Sequence, residues 1–168
     1  MAHFERFGAY TGLATVETTR PCTLKTTAIL THCGEKRATH QAINENGNRV
    51  LLCRYCASYV EAFQWAARMH YPLRGEAQIV ALGYVWRSRE GFMMPSVKDA
   101  PRSVRVLGMI QQTLETMVQG QLLQKIAGRY LLRDACPACF RRGAHDINCG
   151  LRFDPEHFAV RRESYVAG

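Results

Sequence analysis

Two Cys-x-x-Cys pairs, Cys53/Cys56 and Cys136/Cys139, each with further cysteine and histidine close by, set the chemistry open to this 168-residue chain. The first group reads Cys33-x6-His40-x12-Cys53-x2-Cys56, and the second reads Cys136-x2-Cys139-x5-His145-x3-Cys149. Each offers three thiolates and one imidazole, a set that suits tetrahedral zinc. Two Zn2+ ions are therefore expected, one per group, with His32 a second candidate beside His40 and His157 a second candidate beside His145. A rival wiring would join Cys53, Cys56, Cys136 and Cys139 in one all-cysteine site. Two local sites are favoured because each closes shorter loops, and the histidines favour zinc over an iron-sulfur cluster. Cys22, outside both groups and next to Pro21, reads as a structural thiol.

Sites of three sulfurs and one nitrogen, closed to water, organise a fold rather than perform a reaction. In the second group Pro137 fixes φ so that both sulfurs of its pair face one point, and Asp146 is placed to orient an imidazole from outside the ligand set. Signatures of catalysis fail. His32-Cys-Gly-Glu35 has the wrong spacing for a zinc deaminase, and Pro137 lies inside its cysteine pair rather than before it. The chain holds no phosphate-binding glycine loop, no Gly-x-Ser-x-Gly and no His-Glu-x-x-His. No catalytic residue is expected, and the chain reads as a binding protein.

The elements that must position these donors point to one α+β domain over 1–168, with a small mixed or antiparallel sheet and two main helices. Residues 1–21 form an arm rich in Gly, Thr and aromatics; 22–70 a metal-stapled hairpin-helix unit; 71–134 a strand and a long helix; 135–168 a second knuckle with a basic, aromatic tail. Strand-prone runs at 23–31 and 37–43 precede Asn46-Gly47, a strong hairpin signal because both residues tolerate positive φ. The strand 49–52 then runs into Cys53. A helix over about 54–70 follows from Tyr59, Val60, Phe63, Ala66 and Ala67, closed by Tyr71-Pro72. The apolar run 77–87 reads as a buried strand. Leu107, Ile110, Leu114, Met117, Val118, Leu122, Ile126 and Tyr130 recur at three and four, predicting a helix over about 107–133 whose stripe packs inward or forms a dimer seam.

A turn with Cys33-Gly34, a hairpin, and a helix opened by Cys53-Arg-Tyr-Cys56 together resemble the treble-clef zinc finger over about residues 29–69. In that family a Cys-x-x-Cys-Gly knuckle supplies two ligands and a helix N-terminus the other two; here Leu30 stands where the first knuckle cysteine would be. A helix N-terminus suits thiolates because its unpaired N–H groups and dipole lower their pKa. Nucleases of the His-Asn-His type also use this fold, but the helix after Cys56 offers no Asn and only His70 at its far end. The hairpin followed by Leu-Cys-x-x-Cys is similar in style to small phage-type zinc proteins, which implies an accessory or assembly role as an alternative.

Of the 22 basic residues 18 are Arg, and they give a net charge of +8. Arginine forks phosphate or carboxylate and stacks on flat rings, so the expected partner is nucleic acid or an acidic protein surface. Arg141, Arg142, Arg152, Arg161 and Arg162, interleaved with Phe153 and Phe158, are the candidate contacts for a nucleic-acid backbone and its bases. Seven cysteines, an odd number paired at x2 spacing, together with no apolar leader at the start, predict a reducing, cytoplasmic setting. No apolar run approaches the roughly 18 residues of a membrane span.

Overall fold

Asn44 organises the first turn: its side-chain oxygen accepts from the backbone N–H of Asn46 at 3.0 Å and of Asn48 at 2.9 Å. The turn closes a hairpin of β2 (His40–Ile43) and β3 (Arg49–Leu52), paired His40 to Leu52 and Ile43 to Arg49. Gly47 takes φ +78, whereas Asn46 needs no positive φ. This computed structural model describes residues 5–24, 36–96 and 104–152. The strand expected over 23–31 falls largely outside them, as do His32, Cys33, His157, Arg161 and Arg162. The fold is α+β, with three helices and antiparallel sheets of three and two strands among the described residues. The chain divides into two compact units, Met1–Gly83 and Tyr84–Gly168.

In the first unit the opening segment is built into the body rather than draped over it. Phe7 and Tyr10 are buried, Gln64 donates to the Phe7 and Tyr10 carbonyls at 3.0 and 2.7 Å, and the Phe7 ring meets Phe63 edge-on at 6.2 Å. The chain then forms β1 (Thr11–Thr15), an edge strand antiparallel to β2 with a bulge between Thr11 and Ala14. Helix α1 (Arg54–Arg68) starts at an N-cap formed by Cys53 itself. It buries Cys56, Val60, Ala62, Trp65 and Ala66, a helical-period stripe, while Ala67 lies exposed. Its end is set by His70, which adopts φ +58 just beyond the C-cap.

Two elements depart from the sequence reading. The run 77–87 is not a strand but most of helix α2 (Glu76–Arg87), with Ile79, Val80, Ala81, Leu82 and Val85 all buried. A helix covered on most sides loses the polar face that would reveal its period. The long helix expected over 107–133 stops early: α3 spans Val104–Gln119, and β4 (Leu123–Ile126) and β5 (Arg129–Leu132) form a hairpin after it. Gln121 at φ +61 breaks the helix, and Ala127 and Gly128 at φ +50 and +77 make the two-residue turn. The α3 stripe of Leu107, Ile110, Leu114 and Met117 is buried. Glu115 ties α3 to the hairpin by accepting from Tyr130 and Lys125.

Candidate metal centres

Cys53 and Cys56 are delivered by the β3-to-α1 junction, where the Cys53 sulfur accepts from the Cys56 backbone N–H at 3.5 Å. The third donor beside them is Cys22, not His40: the Cys22, Cys53 and Cys56 sulfurs lie within 4.8 Å of one another and are all buried. Backbone pairing explains the placement. Residues 20–22 run antiparallel to 36–38 through Ala38 N–H to Arg20 and Cys22 N–H to Lys36. Thr23 then clamps the edge of β3, donating its N–H to the Leu51 carbonyl at 2.9 Å and accepting from the Leu51 N–H through its hydroxyl. Leu51 is two residues before Cys53, so Cys22 arrives at the helix start. His40 instead bonds Thr39 through Nδ1 at 2.8 Å and is not part of this group. Tyr55, between the paired cysteines, carries Lys36 and Arg54 at 4.8 Å from its ring centre.

The second group comprises Cys136, Cys139, His145 and Cys149, whose donor atoms also lie within 4.8 Å of one another. Cys136 Sγ is 3.6 Å from Cys149 Sγ, and His145 Nδ1 is 3.3 Å from Cys149 Sγ and 3.8 Å from Cys139 Sγ. With Zn–S near 2.3 Å and Zn–N near 2.0 Å at tetrahedral angles, donors of one ion stand about 3.5–3.8 Å apart, close to the observed spacings, so the arrangement fits a single ion. The sulfurs are too far apart for a disulfide, whose S–S bond is about 2.05 Å. Among the described residues the two Cys-x-x-Cys pairs fall in different groups, each with its own local partners.

Local hydrogen bonds build the second group. Phe140 N–H donates to the Cys136 carbonyl at 2.8 Å and Cys136 N–H to the Arg141 carbonyl at 2.9 Å, folding 136–141 into a tight loop. Gln124 steadies its entry by donating to the Leu132 and Ala135 carbonyls at 3.0 and 2.8 Å. Burial pushes the Cys139 thiol up, but backbone N–H groups of Asp146 and Arg141, with contacts from His145 and Cys136, outweigh it and bring it to about 6. Burial raises Cys149 instead. Asp146 spends its carboxylate on Arg141 at 2.5 Å, not on an imidazole.

Beside this group, within the second unit, opens a cleft of about 530 Å³. Its wall includes Trp86 from the end of α2, Arg89 just beyond it, and Cys139, Phe140, Arg141 and Arg142 from the metal loop. Arg142 lies 4.6 Å over the Trp86 ring and forks Asp134 with two bonds of 2.7 Å. Its charge is therefore spent within the protein, while its plane is fixed. Arg152 donates to the Ile147 carbonyl at 3.2 Å. Sequence reading missed this cleft because it took 77–87 for a strand.

No protein-family model, no curated protein and no solved structure matches the chain. The two Cys/His groups are each able to hold a metal ion, as a zinc-binding protein requires. No helix among the described residues is long and apolar enough to cross a membrane.

Proposed function

We propose that this chain is a non-enzymatic protein, held by two structural zinc ions, that binds single-stranded nucleic acid through the rings and arginines of its second unit. The observation that carries the reading is the run Tyr84-Val85-Trp86-Arg87-Ser88-Arg89. Arg87 lies 5.4 Å over Tyr84, Tyr84 stacks on Phe92 at 5.1 Å, and Arg142 covers Trp86. Rings for stacking on bases, set among arginines in a chain of net charge +8, are the ingredients of sequence-tolerant single-strand binding. The assembly alternative has less support, since the α3 stripe it would use is buried.

In the first unit, Cys33 is proposed to join Cys22, Cys53 and Cys56 as the fourth thiolate. The order of a cysteine-bearing segment, a hairpin and a helix opened by two cysteines supports a treble-clef arrangement, with Cys22 and Cys33 in the place of the knuckle pair. Elemental analysis of purified protein should return two zinc ions per chain. Fluorescence anisotropy with a labelled single-stranded oligonucleotide should show affinity falling steeply as salt rises, because bound phosphates release counterions. Affinity that ignores salt, or no binding at low salt, removes the nucleic-acid reading.

A further inference from the structure

Phe140 occupies a position built for glycine. It directly follows Cys139 in the metal loop and has φ +63, a left-handed conformation that costs a residue with a side chain about 1–2 kcal/mol. Phe140 lines the cleft, together with Trp86 and with Arg142, whose plane is fixed by Asp134. Backbone strain maintained at a cleft wall is a pointer to function.

The mouth of the cleft is equally specific. Arg89 and Glu90 both line it and are exposed, and neither side chain makes an ion pair or hydrogen bond among the described residues. They are held there by the next residue. Gly91 has φ +84, and a Cβ on it would stand 2.8 Å from Leu131 Cδ2, so only glycine lets this loop lie against β5. Phe92 then exchanges backbone bonds with Tyr130 at 2.9 and 2.8 Å. A cation and a carboxylate thus stand side by side on a fixed rim, above flat walls. At about 530 Å³ the space lies within the range of small-molecule sites, about 300–1,000 Å³.

From this geometry we infer that the cleft seats one nucleotide of a single strand. The base lies against the Trp86–Arg142 stack and the Phe140 ring, Arg89 pairs with a phosphate, and Glu90 accepts from an exocyclic amino group. Flat faces of rings and of guanidinium groups are the surfaces on which unpaired bases stack. The amino contact predicts that adenine, cytosine and guanine nucleotides bind more tightly than uridine monophosphate, which has no such group. The inference rests on the nucleic-acid reading but makes a narrower claim.

Three variants test it: Phe140→Gly, Trp86→Leu and Arg89→Gln, each compared with the parent protein for metal content, melting temperature and binding. Binding is measured to the four nucleoside monophosphates and to a labelled single-stranded oligonucleotide. Phe140→Gly should keep two metal ions and lose no thermal stability, since it relieves the left-handed strain. It should nonetheless weaken nucleotide and oligonucleotide binding about 5- to 160-fold, the loss of one stacked base. Trp86→Leu should weaken both comparably, and Arg89→Gln should lower the salt slope of oligonucleotide binding by about one. If the oligonucleotide binds the parent and all three variants equally, the cleft assignment is overturned while the broader reading stands. If neither oligonucleotide nor monophosphates bind the parent protein, both fall. Monophosphate binding that Phe140→Gly abolishes, without any oligonucleotide binding, would keep the cleft and discard the single strand.

Discussion

Between Cys53 and Cys56 the chain is already helix, whereas between Cys139 and His145 it is a loop held by donors at both ends. The first group is buried throughout and draws Cys22 from a segment that pairs with neighbouring strands. The second lies half-exposed apart from Cys136, and the residues between its donors form part of a cleft wall. The same kind of chemistry thus serves two ends. One group stitches distant segments into a core, and the other shapes a surface.

That contrast is broken most directly at the first group. Cys53→Ser should remove one of two metal ions and unfold the hairpin-helix unit, because structural zinc contributes on the order of 10 kcal/mol of folding free energy. Metal analysis and the helical circular-dichroism signal check it; a variant retaining two ions would take Cys53 off the ligand set. Cys22→Ser should behave the same way, whereas His40→Ala should leave both ions in place. At the second group, Cys149→Ser should also cost one ion, but its main effect should be a fall of about tenfold or more in oligonucleotide affinity, the order expected when a stacking wall loses its shape. Equal effects of the Cys53 and Cys149 variants on binding would erase the distinction between the two groups.

Acid titration sharpens the comparison. The Cys139 thiol is brought down to about 6 from an ordinary 9.0, so the folded state favours its thiolate. The stability this supplies in the metal-free protein is full above pH 9, declines as pH falls, and is gone once pH passes below about 6. Cys149, raised by burial, takes up its proton above the ordinary thiol range. Thiolate absorbance of Cys149→Ser and Cys139→Ser, measured against pH without metal, should separate the two titrations; coincident curves would refute the assignment.

Smaller effects concern what supports the second group. Gly91→Ala should destabilise the second unit by about 1–3 kcal/mol, from a left-handed φ and a Cβ driven against Leu131. Tyr130→Phe removes only the hydroxyl that donates to Glu115 and should cost about 0.5–1.5 kcal/mol. Thermal melts check both, and an unchanged Gly91→Ala melt would show that the rim loop moves freely.

How far each group was legible follows from distance along the chain. Cys136, Cys139, His145 and Cys149 fall within one short window, so spacing alone pointed to them, and the hairpin leading into Cys53 was marked by Asn46-Gly47. Cys22 lies 31 residues before Cys53, and no spacing rule links them; their meeting depends on Thr23 pairing with Leu51. His40 had the right chemistry at a plausible spacing but points to Thr39. The helix-for-strand error at 77–87 had a correctable cause. Eleven apolar-rich residues exceed the usual buried strand of 4–8, and length should have outweighed the missing period. The overlong second helix arose because Leu122, Ile126 and Tyr130 recur every four residues as on a helix face, although the turn at Ala127-Gly128 separates Ile126 from Tyr130, which pairs with Lys125 instead.

Phe140 to Ala144 are anchored by Cys139 before them and His145 after them. Within this span Arg142 is tied to Asp134 and Trp86 and Gly143 takes a left-handed φ, but exchange at Phe140, Arg141 and Ala144 should leave the scaffold intact. A library randomised at those three positions, with all four donors kept, would offer a compact route to proteins of altered ligand preference.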